Sequence, residues 1–313
     1  MEDACRWCLT YSARSRASGS GVRRKGFVLG ISGTTALVGI IGWPVAHSLS
    51  PALHNAAFAA CGLNMAYVPL PVSSDRVSEA VTGLRALGFV GANVTIPHKT
   101  AVVPLLDEID DEARLAGAVN TVVVRDERLA GYNTDVQGFA RSLHDVYLGS
   151  LAGRTVLLLG AGGMARAVAV VLAREGALVT VADRTLPAAE SIVRVMAQVS
   201  GSAPAKTLAL AALSAETVRE ADVIVNASAL GMASVGKVPA VLADNVRSDH
   251  VVCDVVYTEQ PTQLVAQARA RDALTVDGLS MLVWQAAASF ELWTTQTAPV
   301  EVMRSAVTGQ RGC

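Results

Sequence analysis

The sequence predicts an α/β fold in two domains. Three observations carry this. Short apolar runs alternate with segments of helical spacing from residue 36 onward, as parallel strands covered by helices do. The alternation reaches a hairpin and a linking helix, then restarts at Thr155 with a glycine turn. A length of 313 residues also suits two domains of about 100–200 residues each.

In order, residues 37–41 read as a buried strand ending in a turn. Residues 50–61 are helical, with Pro51 suited to a first turn. A strand at 65–69, a helix at 76–87, a strand at 91–95 and a helix at 107–116 follow. Residues 120–125 and 129–133 form a β-hairpin, and 136–148 the linking helix. The second half reads strand 155–159, helix 164–175, strand 178–182, helix 188–199, and strands 223–226 and 251–256. Helix 261–271, a short strand at 274–277, and helices at 279–294 and 300–307 close the chain.

Composition narrows the function. Apolar residues make up 51% and charged residues 17%, with a mean hydropathy of +0.40, which excludes a disordered chain and a coiled coil. The net charge of −1 gives no reason to expect a nucleic acid or an anionic membrane as partner. That balance is uneven: the first 25 residues carry +4 and the rest −5. This basic start precedes an apolar stretch and mimics a targeting segment. Gly30, Gly33, Gly39, Gly42 and Pro44 interrupt the stretch, so it does not read as a membrane span. Residues 1–33 are expected to be a disordered extension, or sequence upstream of the natural start. The five cysteines (Cys5, Cys8, Cys61, Cys253, Cys313) suggest no disulfide framework, and the lone Cys5/Cys8 pair no metal site. A reducing cytoplasm is the expected location. Only four of 26 basic residues are lysines: Lys25, Lys99, Lys206 and Lys237. A GC-rich genome accounts for the bias, but lysine can release its proton and arginine effectively cannot.

Gly160-Ala161-Gly162-Gly163-Met164-Ala165 lies between a strand and a helix. Gly160 permits the tight turn, Gly162 lets a pyrophosphate approach the backbone, and Ala165 takes the helix-packing position. The helix N-terminus then offers free N–H groups to phosphates. The second domain is thus expected to be Rossmann-like and to bind a dinucleotide. Asp183-Arg184-Thr185 follows the next strand. An acid there accepts from the ribose 2′-hydroxyl of NAD, and a basic neighbour favours the 2′-phosphate of NADP. Both are present, which leaves the two cofactors open.

Four polar motifs stand at predicted strand ends in the first half. They are His47-Ser48-Leu49-Ser50-Pro51, Asn93-Val94-Thr95-Ile96-Pro97-His98-Lys99, Gly117-Ala118-Val119-Asn120-Thr121 and Tyr132-Asn133-Thr134-Asp135. Each has a plain reading: a helix start for Ser50-Pro51, a turn for 133–135, a surface residue for His98. Together, ahead of a dinucleotide fold, they suit a small polyhydroxy acid. Lys99 and Asp135 are the pair able to move a proton to or from a reacting carbonyl or hydroxyl.

With Gly278-Leu279-Ser280-Met281-Leu282-Val283-Trp284-Gln285, these motifs resemble the shikimate dehydrogenase family from about residue 36 to 308. The resemblance implies NADPH-dependent reduction of 3-dehydroshikimate to shikimate, a step toward chorismate and the aromatic amino acids. It implies a substrate domain at 34–135, an NADP-binding domain at 136–278, and C-terminal helices at 279–313 packing back on the substrate domain. Ser48 and Ser50 would bind the substrate carboxylate, and Thr95, Asn120, Tyr257 and Gln285 its carboxylate or hydroxyls. Lys99 would be the acid/base and Asp135 its orienting carboxylate, also touching substrate. Asn93 would order the cleft. Gly160, Ala161, Gly162, Gly163 and Met164 would take the pyrophosphate, Arg184 and Thr185 the 2′-phosphate, and Val255 and Gly278 would line the nicotinamide. Asp183, where the family usually has Asn, keeps NAD open. Trp43 and Ser280 also depart from the family pattern. The retained Ser48 favours shikimate over quinate. Two rival readings are a quinate/shikimate dehydrogenase using NAD and a non-catalytic cofactor-binding regulator; a regulator is expected to have lost Lys99 or Asp135. A monomer or homodimer is expected, with no metal.

Overall fold

The apolar runs pair into two six-stranded sheets, and the strand order of each puts its polar strand ends together. The structure, a computed structural model, describes residues 30–201, 205–232, 235–258 and 260–308. The expected N-terminal extension through residue 29, with Cys5, Cys8 and Lys25, lies outside the described residues, as does Cys313.

The first sheet is built from β1 (Ala36–Gly42), β2 (Met65–Pro71), β3 (Gly91–Val94), β4 (Glu108–Ile109), β5 (Thr121–Arg125) and β6 (Arg128–Tyr132). Its order is β2-β1-β3-β5-β6-β4. The predicted hairpin makes it mixed rather than parallel, because β5 runs antiparallel to both β3 and β6. Asp126 and Glu127 turn that hairpin with φ of 49° and 62°, the left-handed pair that matches strand twist. Helices α1 (Ser50–Ala60), α2 (Val77–Ala86) and α3 (Asp111–Ala116) cover this half. The helix expected over 107–116 is shorter, because Asp110 accepts from the Ala113 N–H and caps a later start. Residues 108–109 instead pair with β6 as an edge strand.

Helix α4 (Thr134–His144) leads to the second sheet: β7 (Thr155–Leu159), β8 (Leu178–Asp183), β9 (Ala205–Ala209), β10 (Val223–Asn226), β11 (Val251–Asp254) and β12 (Leu274–Val276). All its pairs are parallel, in the order β12-β11-β10-β7-β8-β9. Counted from β7, that is the dinucleotide-binding order, with its switch point between β7 and β10. Helices α5 (Gly163–Arg174), α6 (Leu186–Ser200), α7 (Ala215–Arg219), α8 (Ala240–Asp244) and α9 (Gln263–Arg269) flank it. The sequence reading lacked β9, α7 and α8. Lys206, expected in a loop, is an exposed residue of edge strand β9.

The chain closes with α10 (Gly278–Thr294) and α11 (Val300–Thr308). Helix α10 is apolar on most of its surface and is buried accordingly. Its Phe290 and Trp293, with Met303 and Val307 of α11, share a core with Val38, Leu53, Phe58 and Tyr67 of the first half. Gly138 of α4 lets the two helices touch: a Cβ there would stand 2.7 Å from the Gln285 Cβ. This seats Gln285 beside the first sheet. No helix among the described residues is long and apolar enough to cross a membrane.

Candidate active site

Four segments deliver polar side chains to one edge of the first sheet. β1 runs into the loop carrying Ser48 and Ser50, β3 into Thr95 and Lys99, and β6 into Asn133, Thr134 and Asp135. Because β5 runs the other way, its beginning, with Asn120 just before it, reaches that same edge. Helix α10 adds Gln285.

Lys99 Nζ donates to Asp135 Oδ2 at 2.6 Å, and Asn120 Nδ2 donates to Asp135 Oδ1 at 2.9 Å. Lys99 is 9% exposed and Asp135 only 2%, so each charge depends on the other. Removing one partner of such a pair costs about 3–5 kcal/mol. The Val119 N–H donates to the Lys99 carbonyl at 2.8 Å and ties the lysine loop to the start of β5. His98, read as a surface residue, is buried, and its Nε2 donates to the Val72 carbonyl at 2.7 Å.

Asn120 also makes contacts of 2.8 Å to Thr134 Oγ1 and 3.4 Å to Gln285 Oε1, and its Oδ1 accepts from the Thr134 N–H at 2.7 Å. Ser50 opens α1 and donates its N–H to Ser48 Oγ at 3.3 Å. Tyr257, from the loop after β11, reaches this serine loop: burial raises its phenol, and hydrogen bonding with Ser48 opposes the rise. Thr95 packs its methyl on Gly42 and donates its N–H to the Ile41 carbonyl at 2.8 Å.

The glycine turn has the features a dinucleotide needs. Gly160 has φ of +103°, and a Cβ there would lie 3.0 Å from Ser228, so the ends of β7 and β10 meet closely at the switch point. Gly162 precedes α5 with open space around it and no side-chain cap. The first N–H groups of that twelve-residue helix therefore lack a side-chain acceptor, as an anion site requires. Ala161 and Met164 are partly buried beside it. Arg184 and Thr185 are exposed at the end of β8, and Arg184 lines a cavity of about 450 Å³ with Leu213, Pro239 and Val241. Asp183 is folded onto its own turn, Oδ1 accepting from the Thr185 N–H at 3.2 Å. Val255 and Gly278 meet: a Cβ on Gly278 would lie 2.6 Å from the Val255 carbonyl oxygen.

The two groups of residues touch at one point. A Cβ on Gly163 would stand 2.9 Å from Lys99 Cβ and 3.2 Å from its Cδ. The start of α5 thus lies on the aliphatic stem of Lys99. Sequence reasoning missed Tyr67 and Ser289 as members of the polar network, and gave Thr121 and Thr134 no role although both stand in its polar motifs. Ser289 carried a signal, four residues after Gln285 on one helix face. Tyr67 carried none beyond a hydroxyl in an apolar strand.

A sheet of this strand order, with a buried lysine–carboxylate pair leaning on its glycine turn, is the layout of a nucleotide-dependent oxidoreductase. Family models agree: shikimate dehydrogenase substrate binding domain over residues 40–122, shikimate / quinate 5-dehydrogenase over 142–280, and shikimate 5′-dehydrogenase C-terminal domain over 278–308. A shikimate dehydrogenase (NADP(+)) of Methanopyrus kandleri is 45% identical over 280 residues, covering 88% of this chain and 96% of its own. Another, of Desulforamulus reducens, is 42% identical over 277 residues, covering 88% and 95%. A crystal structure of shikimate dehydrogenase in complex with NADP+ superposes with a TM-score of 0.83 at 37% identity, covering 90% of this chain and 98% of that one. The chain belongs to the shikimate dehydrogenase family.

Proposed function

We propose that this protein is an NADP-dependent shikimate dehydrogenase, reducing 3-dehydroshikimate reversibly to shikimate in aromatic amino acid biosynthesis. The observation that carries the reading is the buried Lys99–Asp135 pair resting on the first residue of the dinucleotide-binding helix. A proton donor for a carbonyl and a site for a hydride carrier are thereby adjacent.

In this reading the substrate domain spans 34–135, the cofactor domain 136–278, and residues 279–313 return to the substrate domain. Gly160 to Met164 hold the pyrophosphate, and Arg184 and Thr185 the 2′-phosphate. Val255 and Gly278 line the nicotinamide, which supplies the hydride when bound. Ser48 and Ser50 receive the substrate carboxylate with Tyr257 and Thr95. Asn120 and Gln285 hold ring hydroxyls. Lys99 Nζ gives its proton to the C3 oxygen in the reductive direction and takes it back in the oxidative one, while Asp135 fixes the ammonium's direction. The chain's own work is position and electrostatics.

Initial rates with shikimate and with quinate, each with NADP and with NAD, test the proposal. Shikimate with NADP is expected to give the highest kcat/KM. A preference for quinate with NAD would replace the reading, and binding of shikimate without turnover would favour a regulator.

A further inference from the structure

We propose that Tyr67 and Ser289 are positioning residues: through Asn93 they fix the order of donors and acceptors in a buried hydrogen-bond chain that ends on Asp135 and Lys99. The inference rests on reading Lys99 and Asp135 as the proton-moving pair.

The chain starts at a phenol that donates inward. The Tyr67 ring is clamped by its neighbours, stacked on His54 at 4.5 Å between centroids and 6.1 Å from Trp293. Burial raises its phenol well above the ordinary value, against opposing hydrogen bonding from Ser50. The phenol thus keeps its proton and donates to Asn93 Oδ1 at 2.7 Å. With Oδ1 engaged, the Asn93 amide is held against turning over. Its Nδ2 faces the Asn120 carbonyl at 3.1 Å, Thr121 Oγ1 at 3.0 Å and Ser289 Oγ at 3.0 Å.

Ser289 sets the next direction. Its hydroxyl donates to the Gln285 carbonyl one turn back at 3.0 Å, so toward Asn93, Thr121 and Thr134 it acts as acceptor. Thr121 and Thr134 lie 2.8 and 3.1 Å from it and 3.3 Å from each other, and each also reaches Asn120 Oδ1 at 3.1 Å. Asn120 Oδ1 also accepts the Thr134 N–H, which leaves Nδ2 to reach Asp135 Oδ1. The second Asp135 oxygen takes Lys99. Asn93 thus grips the peptide after Asn120, and Ser289 the side chain just before Asp135.

Every member is buried: Tyr67, Asn93, Asn120, Thr121, Thr134 and Ser289 are all under 5% exposed. Away from bulk solvent, a missing hydroxyl makes its neighbours rearrange. The chain joins β2, β3, α4 and α10, and so carries the packing of the C-terminal helix to the reacting groups.

The test uses the full-length protein with Tyr67→Phe, Ser289→Ala and the double variant. Tyr67→Phe keeps the clamped ring and removes the donor. Each single variant is expected to lower kcat about tenfold, within the cost of a sub-ångström misplacement, with KM for shikimate and NADP within about twofold. The double variant should fall no further than the worse single, because both cut one chain. A crystal structure of Tyr67→Phe should show the Asn93 amide displaced from its three acceptors and the Lys99–Asp135 contact lengthened beyond hydrogen-bond distance. Wild-type kcat in both singles overturns the proposal, as do lower melting temperatures with an unchanged rate per folded molecule. If the wild type does not oxidise shikimate with NADP, the functional reading fails on its own. The Tyr67→Phe crystal structure then still decides, and an undisturbed Lys99–Asp135 contact refutes the relay.

Discussion

Gly163→Ala tests the contact between the glycine turn and Lys99, and it should cost both stability and catalysis. Gly163 is the first residue of α5 and its φ is not left-handed, so alanine suits its backbone. Alanine at this first helical position recovers at most about 1 kcal/mol of helix propensity, less than the ~1–3 kcal/mol that overpacking costs, so Tm should fall rather than rise. The new Cβ would lie 2.9 Å from Lys99 Cβ, where ordinary contact is 3.4–4 Å. The stem must therefore recede by roughly half to one ångström. It is not free to swing, because the clash falls at its root and the Lys99 carbonyl is tied to Val119. The displacement passes to the ammonium, now 2.6 Å from Asp135. A misplacement of about 1 Å costs up to ~10²-fold in rate, so kcat for shikimate oxidation should fall 10- to 100-fold. The assay is NADPH formation under saturating substrates, with NADP affinity measured separately by calorimetry. A kcat within twofold of wild type would refute the argument that this glycine exists to seat the lysine.

Lys99→Ala should lose about 10²–10⁴-fold in kcat while NADP affinity stays within severalfold, and Lys99→Arg should also be poor despite its charge; wild-type turnover in either would remove the acid/base role. Asp183→Asn keeps the oxygen that accepts from Thr185 and removes a charge worth about 1 kcal/mol at short range in water. The ratio of kcat/KM for NADP over NAD should rise about fivefold, and an unchanged ratio would mean that the carboxylate points away from the ribose. His54 is held neutral by burial, its pKa lowered to about 3, whereas an unfolded histidine titrates near ~6.5. Below that pH the unfolded chain gains a proton that the folded one refuses, so stability falls as pH drops, by up to ~1.4 kcal/mol per unit. Urea unfolding from pH 7 to pH 5 should show this slope in the wild type and a shallower one in His54→Phe; parallel curves would contradict it.

Much of this was legible in the sequence because the informative patterns are local. Continuous apolar runs such as residues 155–159 and 223–226 name central strands, since a strand buried on both faces has no alternation to obscure it. The hairpin was legible from its turn, and the polar motifs from their places at strand ends. What failed was marginal or long-range. Strand β9 is a five-residue edge with no fully buried residue, and the early start expected for helix α3 lost to a better cap at Asp110. Ser289 lies 196 residues from Asn93, and no spacing rule reports that contact.

Gly163 illustrates the difference between recognising a motif and explaining it. In a turn that binds pyrophosphate, the positions with a stated need for a small residue are Gly160, Gly162 and Ala165. Gly163 is not among them, and by helix propensity alone it is a poor choice. Its need comes from Lys99, 64 residues earlier in the chain. The same contact gives a reason for the lysine's burial: α5 covers the stem while Asp135 and Asn120 hold the charge. A longer side chain at 163 would push the Lys99 stem away from the start of α5. The two sets of residues identified separately along the chain thus constrain each other, and a substitution chosen to improve the cofactor turn must also be compatible with Lys99.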